Sequence, residues 1–197
     1  MDENETLINR ILKRELEMFL TVPTLQKASC QENPEMFRIV RSSQFVSWSM
    51  ETLESYLQDL KSAEKNKINL MTKKYARMDN LIEKIKENPA MDEIVDIEIE
   101  WQKEIFEKFP CLMGSARALR SSEDTPSATS FETYLRGELE TYSDTTLTLL
   151  LKDVKNYFEK NENMMMTNYL DLVKQLGYTS IEDAEETKRK EMSTAGS

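Results

Sequence analysis

The stretch Trp48-Ser49-Met50-Glu51-Thr52-Leu53-Glu54-Ser55-Tyr56-Leu57-Gln58-Asp59-Leu60-Lys61 is echoed 94 residues later by Tyr142-Ser143-Asp144-Thr145-Thr146-Leu147-Thr148-Leu149-Leu150-Leu151-Lys152-Asp153-Val154-Lys155. At that offset Phe37 pairs with Phe131, Ser49 with Ser143, Thr52 with Thr146, Leu53 with Leu147, Leu57 with Leu151, Asp59 with Asp153 and Lys61 with Lys155. Seven identities fall within 25 positions, where roughly one or two are expected by chance, and such self-similarity is a fold-level signal. The competing account is that two amphipathic helices coincide in phase. A duplication predicts an all-α protein, a single helical bundle of two similar halves (about 7–87 and 91–186). Each half supplies a short helix, a loop, a long helix and a return helix, and their apolar stripes are buried about an approximate two-fold axis. Residues 191–197 read as a disordered tail.

Apolar spacing outside the repeat agrees with helices. Leu7, Ile8, Ile11, Leu12, Met18 and Phe19 form a stripe that Pro23 ends. Asn33-Pro34 is an N-cap followed by proline at the first helical position, and Phe37, Val40, Phe45 and Trp48 follow it. A helix is predicted over 67–86 with Leu70, Met71, Tyr75, Met78, Leu81, Ile82 and Ile85 inward, broken by Asn88-Pro89. Ile94, Ile97, Trp101, Ile105 and Phe109 mark the next helix, stopped by Pro110. Residues 111–130 are irregular, 131–159 read as one long helix bent near Ser143, and 164–176 end at Gly177 as a C-cap. Thr179 and Ser180 start a short last helix through Glu186.

Composition narrows the chemistry. The 197 residues hold no His, two Cys, four Gly and five Pro, and carry a net charge of −10. All-β folds need more turn residues. The absence of His removes the commonest general base and transition-metal ligand, and two unclustered cysteines give no structural zinc site. The negative charge disfavours nucleic acid and anionic membranes. No apolar run approaches a membrane span, and the acidic Met1-Asp2-Glu3-Asn4-Glu5 start does not resemble a secretory signal. These features predict a cytoplasmic protein. No cofactor is indicated: glycine-rich phosphate loops are absent, and the carboxylates show no metal-binding spacing. Cys30 has no histidine to activate it, and Cys111 reads as packing.

One polar constellation stands out. Glu132, Arg136 and Glu140 share one helical column, Tyr134, Glu138 and Tyr142 another. Gly137 between them costs about 1 kcal/mol relative to Ala, which calls for close approach by another segment or a ligand. Glu15 and Glu100 sit in otherwise apolar stripes and read as inward carboxylates requiring arginine partners. Around a helix, Glu138 lies about 200° from Arg136, so the two cannot face one partner. Arg136 is expected inward, against Glu15 or Glu100. Two accounts remain open for Glu15, Arg41, Gln44, Glu100, Arg120, Glu123, Asp124, Arg136 and Glu138. They line a site between the halves for a small polar or anionic molecule, with or without catalysis, or their Arg/Glu network is structural in an interaction or accessory protein with a protein partner.

These residues also carry a resemblance. Ser29-Cys30-Gln31, Arg41-Ser42-Ser43-Gln44-Phe45 with Trp48, Ile99-Glu100-Trp101, Arg120-Ser121-Ser122-Glu123-Asp124-Thr125 and Ser130-Phe131-Glu132-Thr133-Tyr134-Leu135-Arg136-Gly137-Glu138-Leu139 resemble a bacterial family of uncharacterised proteins, domain of unknown function 4125. The resemblance covers about residues 7–185. It implies an all-helical domain and, through members fused to nucleotidyltransferase-like domains, a role beside small-molecule or nucleotide chemistry.

Overall fold

Capping residues divide the chain. Asn33, Ser49, Asn69, Asn88, Ser130, Ser143 and Asn163 each accept a hydrogen bond from a backbone N–H of the helix they precede, an arrangement worth about 1 kcal/mol per cap. In a computed structural model that describes residues 3–23, 33–125 and 127–195, they delimit α1 (Glu3–Leu20), α2 (Pro34–Phe45), α3 (Met50–Lys65), α4 (Leu70–Met78), α5 (Pro89–Lys108), α6 (Phe131–Leu139), α7 (Asp144–Glu159), α8 (Met164–Gln175) and α9 (Ile181–Ala195). A 3-10 turn at Ser121–Glu123 lies between α5 and α6. Among the described residues there is no strand, only an isolated bridge between Thr125 and Ala128. The protein is all-α.

Packing follows the apolar stripes. Helix α1 lies on α2, α3 and α4, and α5 on α6, α7 and α8. Helices α3 and α7 cross at the centre, α2 packs on α8, and α4 on α6. The main core joins Ile11, Leu53, Leu60, Ile94, Ile99, Leu139 and Leu147, all essentially inaccessible. A smaller cluster of Ile105, Phe109, Val173, Ile181 and Ala184 seats α9.

The α3–α7 crossing is held by reciprocal caps. Asp153 Oδ2 in α7 accepts from the Ser49 amide (3.0 Å), the Ser49 hydroxyl (3.0 Å) and the Thr52 hydroxyl (2.6 Å) at the start of α3. Asp59 Oδ2 in α3 accepts from the Ser143 amide (3.0 Å) and the Thr146 hydroxyl (2.7 Å) at the start of α7. Each carboxylate therefore lies against the other helix's positive N-terminal end.

Three boundaries differ from the sequence expectation. The predicted helix over 67–86 ends at Met78, where Asn80 takes a left-handed φ of 54°. Beyond it the Ile85 amide donates to Glu140 (2.9 Å) and Lys86 Nζ to the Tyr142 carbonyl, which ties the segment to the start of α7. Leu81 is 74% exposed instead of inward. The single helix over 131–159 is two, because Ser143 caps a fresh start at Asp144. Helix α9 continues to Ala195, into the stretch expected as a tail. Cys30 and its loop lie outside the described residues.

Candidate functional site

The interior contains charge. Glu15 occupies an inward position of α1, on one face with Ile11, Leu12, Met18 and Phe19, and is 0% exposed. A carboxylate so placed must be matched. Arg41 of α2 grips it in bidentate fashion, Nε to Oε2 at 2.9 Å and Nη2 to Oε1 at 2.5 Å, and the Tyr56 hydroxyl donates to Oε1 at 2.6 Å. Arg41 Nη2 also lies 2.7 Å from Glu138 Oε1 of α6, and Nη1 donates to Gln44. Lys74 Nζ of α4 lies 2.6 Å from Glu138 Oε2, and the Tyr142 hydroxyl donates to Glu138 Oε1 at 2.7 Å. Two carboxylates and two cations thus form a closed, neutral network whose hydrogen bonds reach α1, α2, α3, α4 and α6.

Its electrostatics follow from these contacts. Burial would raise the Glu138 carboxyl, but Arg41 and Lys74 outweigh burial and hold it far below the usual carboxylate range. Burial likewise opposes the charged forms of Arg41 and Lys74, and the carboxylates overcome it and raise both, Glu138 foremost. Burial first, and the adjacent carboxylates second, push the Tyr56 and Tyr142 hydroxyls up, so both remain donors. Trp48 packs edge-on to Phe45, Tyr56 and Tyr142, the Arg41 guanidinium lies 4.9 Å from the centre of the Phe45 ring, and Lys74 Nζ lies 3.7 Å from the centre of the Tyr134 ring.

Beside this network a cleft opens between α2, α5, α6 and α8. Its outer vestibule of about 320 Å³ is lined by Val40, Ser43, Gln102, Ala116, Arg117, Tyr169 and Leu172, among others. An inner chamber of about 90 Å³ is walled by Trp48, Glu98, Leu135, Glu138, Tyr142, Leu150 and Met164. Gln44, Phe131, Tyr134, Met165 and Asn168 line both, so the two adjoin. Glu98 of α5 is half-buried and lines the chamber. Burial, reinforced by Glu138, raises its carboxyl to about 8. It makes no hydrogen bond or ion pair with the described residues. Gln102 Oε1 and Asn168 Oδ1, both buried atoms on the cleft wall, also lack partners.

The nine sequence candidates divide. Glu15, Arg41, Gln44 and Glu138 come together. The other five do not join them. Arg136 points away, its Nη1 2.7 Å from Asp92 and its Nε 3.2 Å from Glu132. The expectation that it faces Glu15 or Glu100 is corrected: α6 buries Gly137 and Glu138, and that rotation turns Arg136 to the outer face. Glu100 is exposed and meets the exposed Arg120 at 3.4 Å, so it is not an inward carboxylate. Glu123 accepts from the Arg120 amide and closes the 3-10 turn. Asp124 accepts from the Ser130 amide and the Thr133 hydroxyl at the start of α6, which lowers its carboxyl despite the opposing effect of burial.

Lys74 and Glu98 escaped the sequence reading as site residues, although their register contains the signal. Lys74 lies on the stripe Leu70, Met71, Met78, and Glu98 falls one turn from both Ile94 and Gln102. Gly137 marks a close approach of helices: a Cβ there would stand 2.9 Å from Met78 Cγ and 3.3 Å from the Lys74 carbonyl. Among the described residues no group of three or more His, Cys, Asp or Glu side chains is placed to hold a metal, and no helix is long and apolar enough to cross a membrane.

An all-helical bundle with a neutral buried ion network beside a two-part cleft is the class these features define. The chain belongs to the family described as "Protein of unknown function (DUF4125)", whose model matches residues 5–186. No curated protein and no solved structure matches it.

Proposed function

We propose that this protein binds a small organic molecule in the cleft between α2, α5, α6 and α8. The observation that carries this reading is an apolar cleft lined by Glu98, a carboxyl without a partner among the described residues, and by Gln102 and Asn168, each with a buried unpaired oxygen. Ligand sites have this composition: mostly apolar walls with a few convergent polar groups. Native proteins satisfy nearly all their buried polar atoms, so two unpaired ones in the wall of one cavity favour an occupant. The Glu15–Arg41–Glu138–Lys74 network supports the site without contributing free donors, since its charges are spent on one another. It fixes how α1, α2, α4 and α6 meet, and Glu138, Tyr142 and Gln44 present its edge to the chamber.

The two halves, in this reading, descend from a duplication whose seam became the site. The reciprocal Asp59 and Asp153 caps and the matched Asn69 and Asn163 caps favour it. The net charge of −10 disfavours nucleic acid as a partner.

Fragment screening by ligand-observed NMR tests the site. Fragments are expected to bind the wild type and to be lost in Asn168→Phe, which adds bulk to a wall shared by vestibule and chamber, with the melting temperature maintained. Binding unaffected by Asn168→Phe places the ligands elsewhere and overturns the proposal.

A further inference from the structure

The cations of the buried network are spent within it. Arg41 is divided among Glu15, Glu138 and Gln44, Lys74 lies on Glu138, and the Tyr142 hydroxyl donates to Glu138. At the mouth, Arg117 Nη1 donates to the Thr129 carbonyl and hydroxyl. Of the cleft-lining residues, Gln102 and Asn168 each bury an acceptor without a partner, Oε1 and Oδ1, and the Glu98 carboxyl in the chamber makes no hydrogen bond or ion pair with the described residues. The charge count agrees. Glu15, Arg41, Glu138 and Lys74 sum to zero, which leaves Glu98 as the carboxyl of the chamber without an ion-pair partner. Trp48 and Phe131 line the same space, and aromatic rings attract cations.

We propose that the cleft is built for an organic cation, with an ammonium head in the inner chamber on Glu98 and an apolar body in the vestibule. This rests on the cleft being a ligand site and adds the ligand's charge. A chamber of about 90 Å³ takes a head group of a few heavy atoms, and about 320 Å³ outside takes a ring or short chain. The same wall already holds one ammonium over a ring, that of Lys74 over Tyr134.

Binding is coupled to a proton. With no ligand, burial and the Glu138 carboxylate of α6 keep Glu98 protonated up to about pH 8. Arg41 of α2 and Lys74 of α4 are committed to Glu138, while α7 and α8 present the uncharged Leu150, Met164, Met165 and Asn168. An arriving ammonium supplies the counter-charge, and Glu98 releases its proton to solvent.

Calorimetry on the full chain with phenethylamine, 2-phenylethanol and 3-phenylpropionate tests this. The amine is expected to bind at least tenfold tighter than the alcohol or the acid. At pH 6.5 its measured heat should differ between phosphate and imidazole buffers, which reports close to one proton released per amine bound. Glu98→Gln should weaken the amine at least tenfold and leave the alcohol unchanged. Equal or tighter binding of the alcohol or acid overturns the cation assignment, as does an amine affinity untouched by Glu98→Gln. If the compound that binds is then lost in Asn168→Phe, the cleft stands as a ligand site for another class. Failure of all three compounds overturns both readings. The buffer comparison uses the wild type alone, so it decides even if Glu98→Gln does not fold.

Discussion

Arg41 Nη2 stands 2.7 Å from Glu138 Oε1 while holding Glu15 Oε1 at 2.5 Å, so one guanidinium joins a carboxylate of α1 to a carboxylate of α6. The side chains involved are nearly or wholly inaccessible, and ions so placed are costly unless fully matched. Removing the cation strands both carboxylates, with only tyrosine hydroxyls and Lys74 remaining. Arg41→Met should therefore destabilise the fold by about 3–5 kcal/mol in urea unfolding. Arg136→Met, which breaks only partly exposed pairs, should cost less than about 1 kcal/mol. The reverse order would mean that the outer pairs, not the buried network, hold the bundle.

The two aspartate caps make a matched pair of predictions. Asp153→Asn and Asp59→Asn each weaken charge-assisted bonds to the start of the opposite helix, at an expected cost of about 1–3 kcal/mol. Asp153 accepts three bonds and Asp59 two, so the Asp153 variant should lose more. Chemical denaturation of both variants settles the order.

Much of this was legible in the sequence, and the failures have physical causes. The start of α2 was readable because Asn33 is a strong cap followed by proline at the first helical position, whereas the cap at Ser143 reads as a bend because apolar spacing continues on both sides of it. Glu15 was readable as inward because one α-helical stripe determined its direction. Arg136 was not: choosing it over Glu138 required the rotation of α6, which close packing on α4 at Gly137 fixes, and that contact is tertiary. Glu98 and Glu100 lie about 200° apart around α5, so taking Glu100 as the inward carboxylate turned Glu98 away from the core. The helix predicted over 67–86 was apolar enough to continue, yet stopped at Met78 because Asn80 turns left-handed and Glu140 captures the Ile85 amide. The cleft itself is assembled from four helices and leaves no local trace.

Gly137 offers a direct measure of that tertiary control. In an isolated helix Gly→Ala gains about 1 kcal/mol. Here the new methyl meets Met78 Cγ at 2.9 Å and the Lys74 carbonyl at 3.3 Å. Methionine can shift, but the backbone of α4 cannot move without disturbing the Lys74–Glu138 pair. Gly137→Ala should destabilise by roughly 1–2 kcal/mol, within the range for overpacking. Adding Met78→Ala should recover part of that loss relative to Met78→Ala alone. A stabilised Gly137→Ala would show that α4 and α6 separate freely.

The two acidic groups at the chamber predict opposite pH limbs. Glu98 is raised in the folded state from an ordinary 4.5 to about 8, so folding favours its protonated form. Its contribution is full below pH 4.5 and is lost as pH rises toward 8. Glu138 is depressed, so its contribution is present above pH 4.5 and is lost as pH falls through the acid range. Wild-type stability should therefore decline on both sides, and the alkaline decline should belong to Glu98. Glu98→Gln keeps the shape and cannot ionise. It should match the wild type within about 1 kcal/mol at pH 4.5 and exceed it by on the order of a few kcal/mol at pH 8.5. Urea unfolding at the two pH values checks this, and a Glu98→Gln curve parallel to the wild type throughout would mean that Glu98 ionises freely in the folded protein.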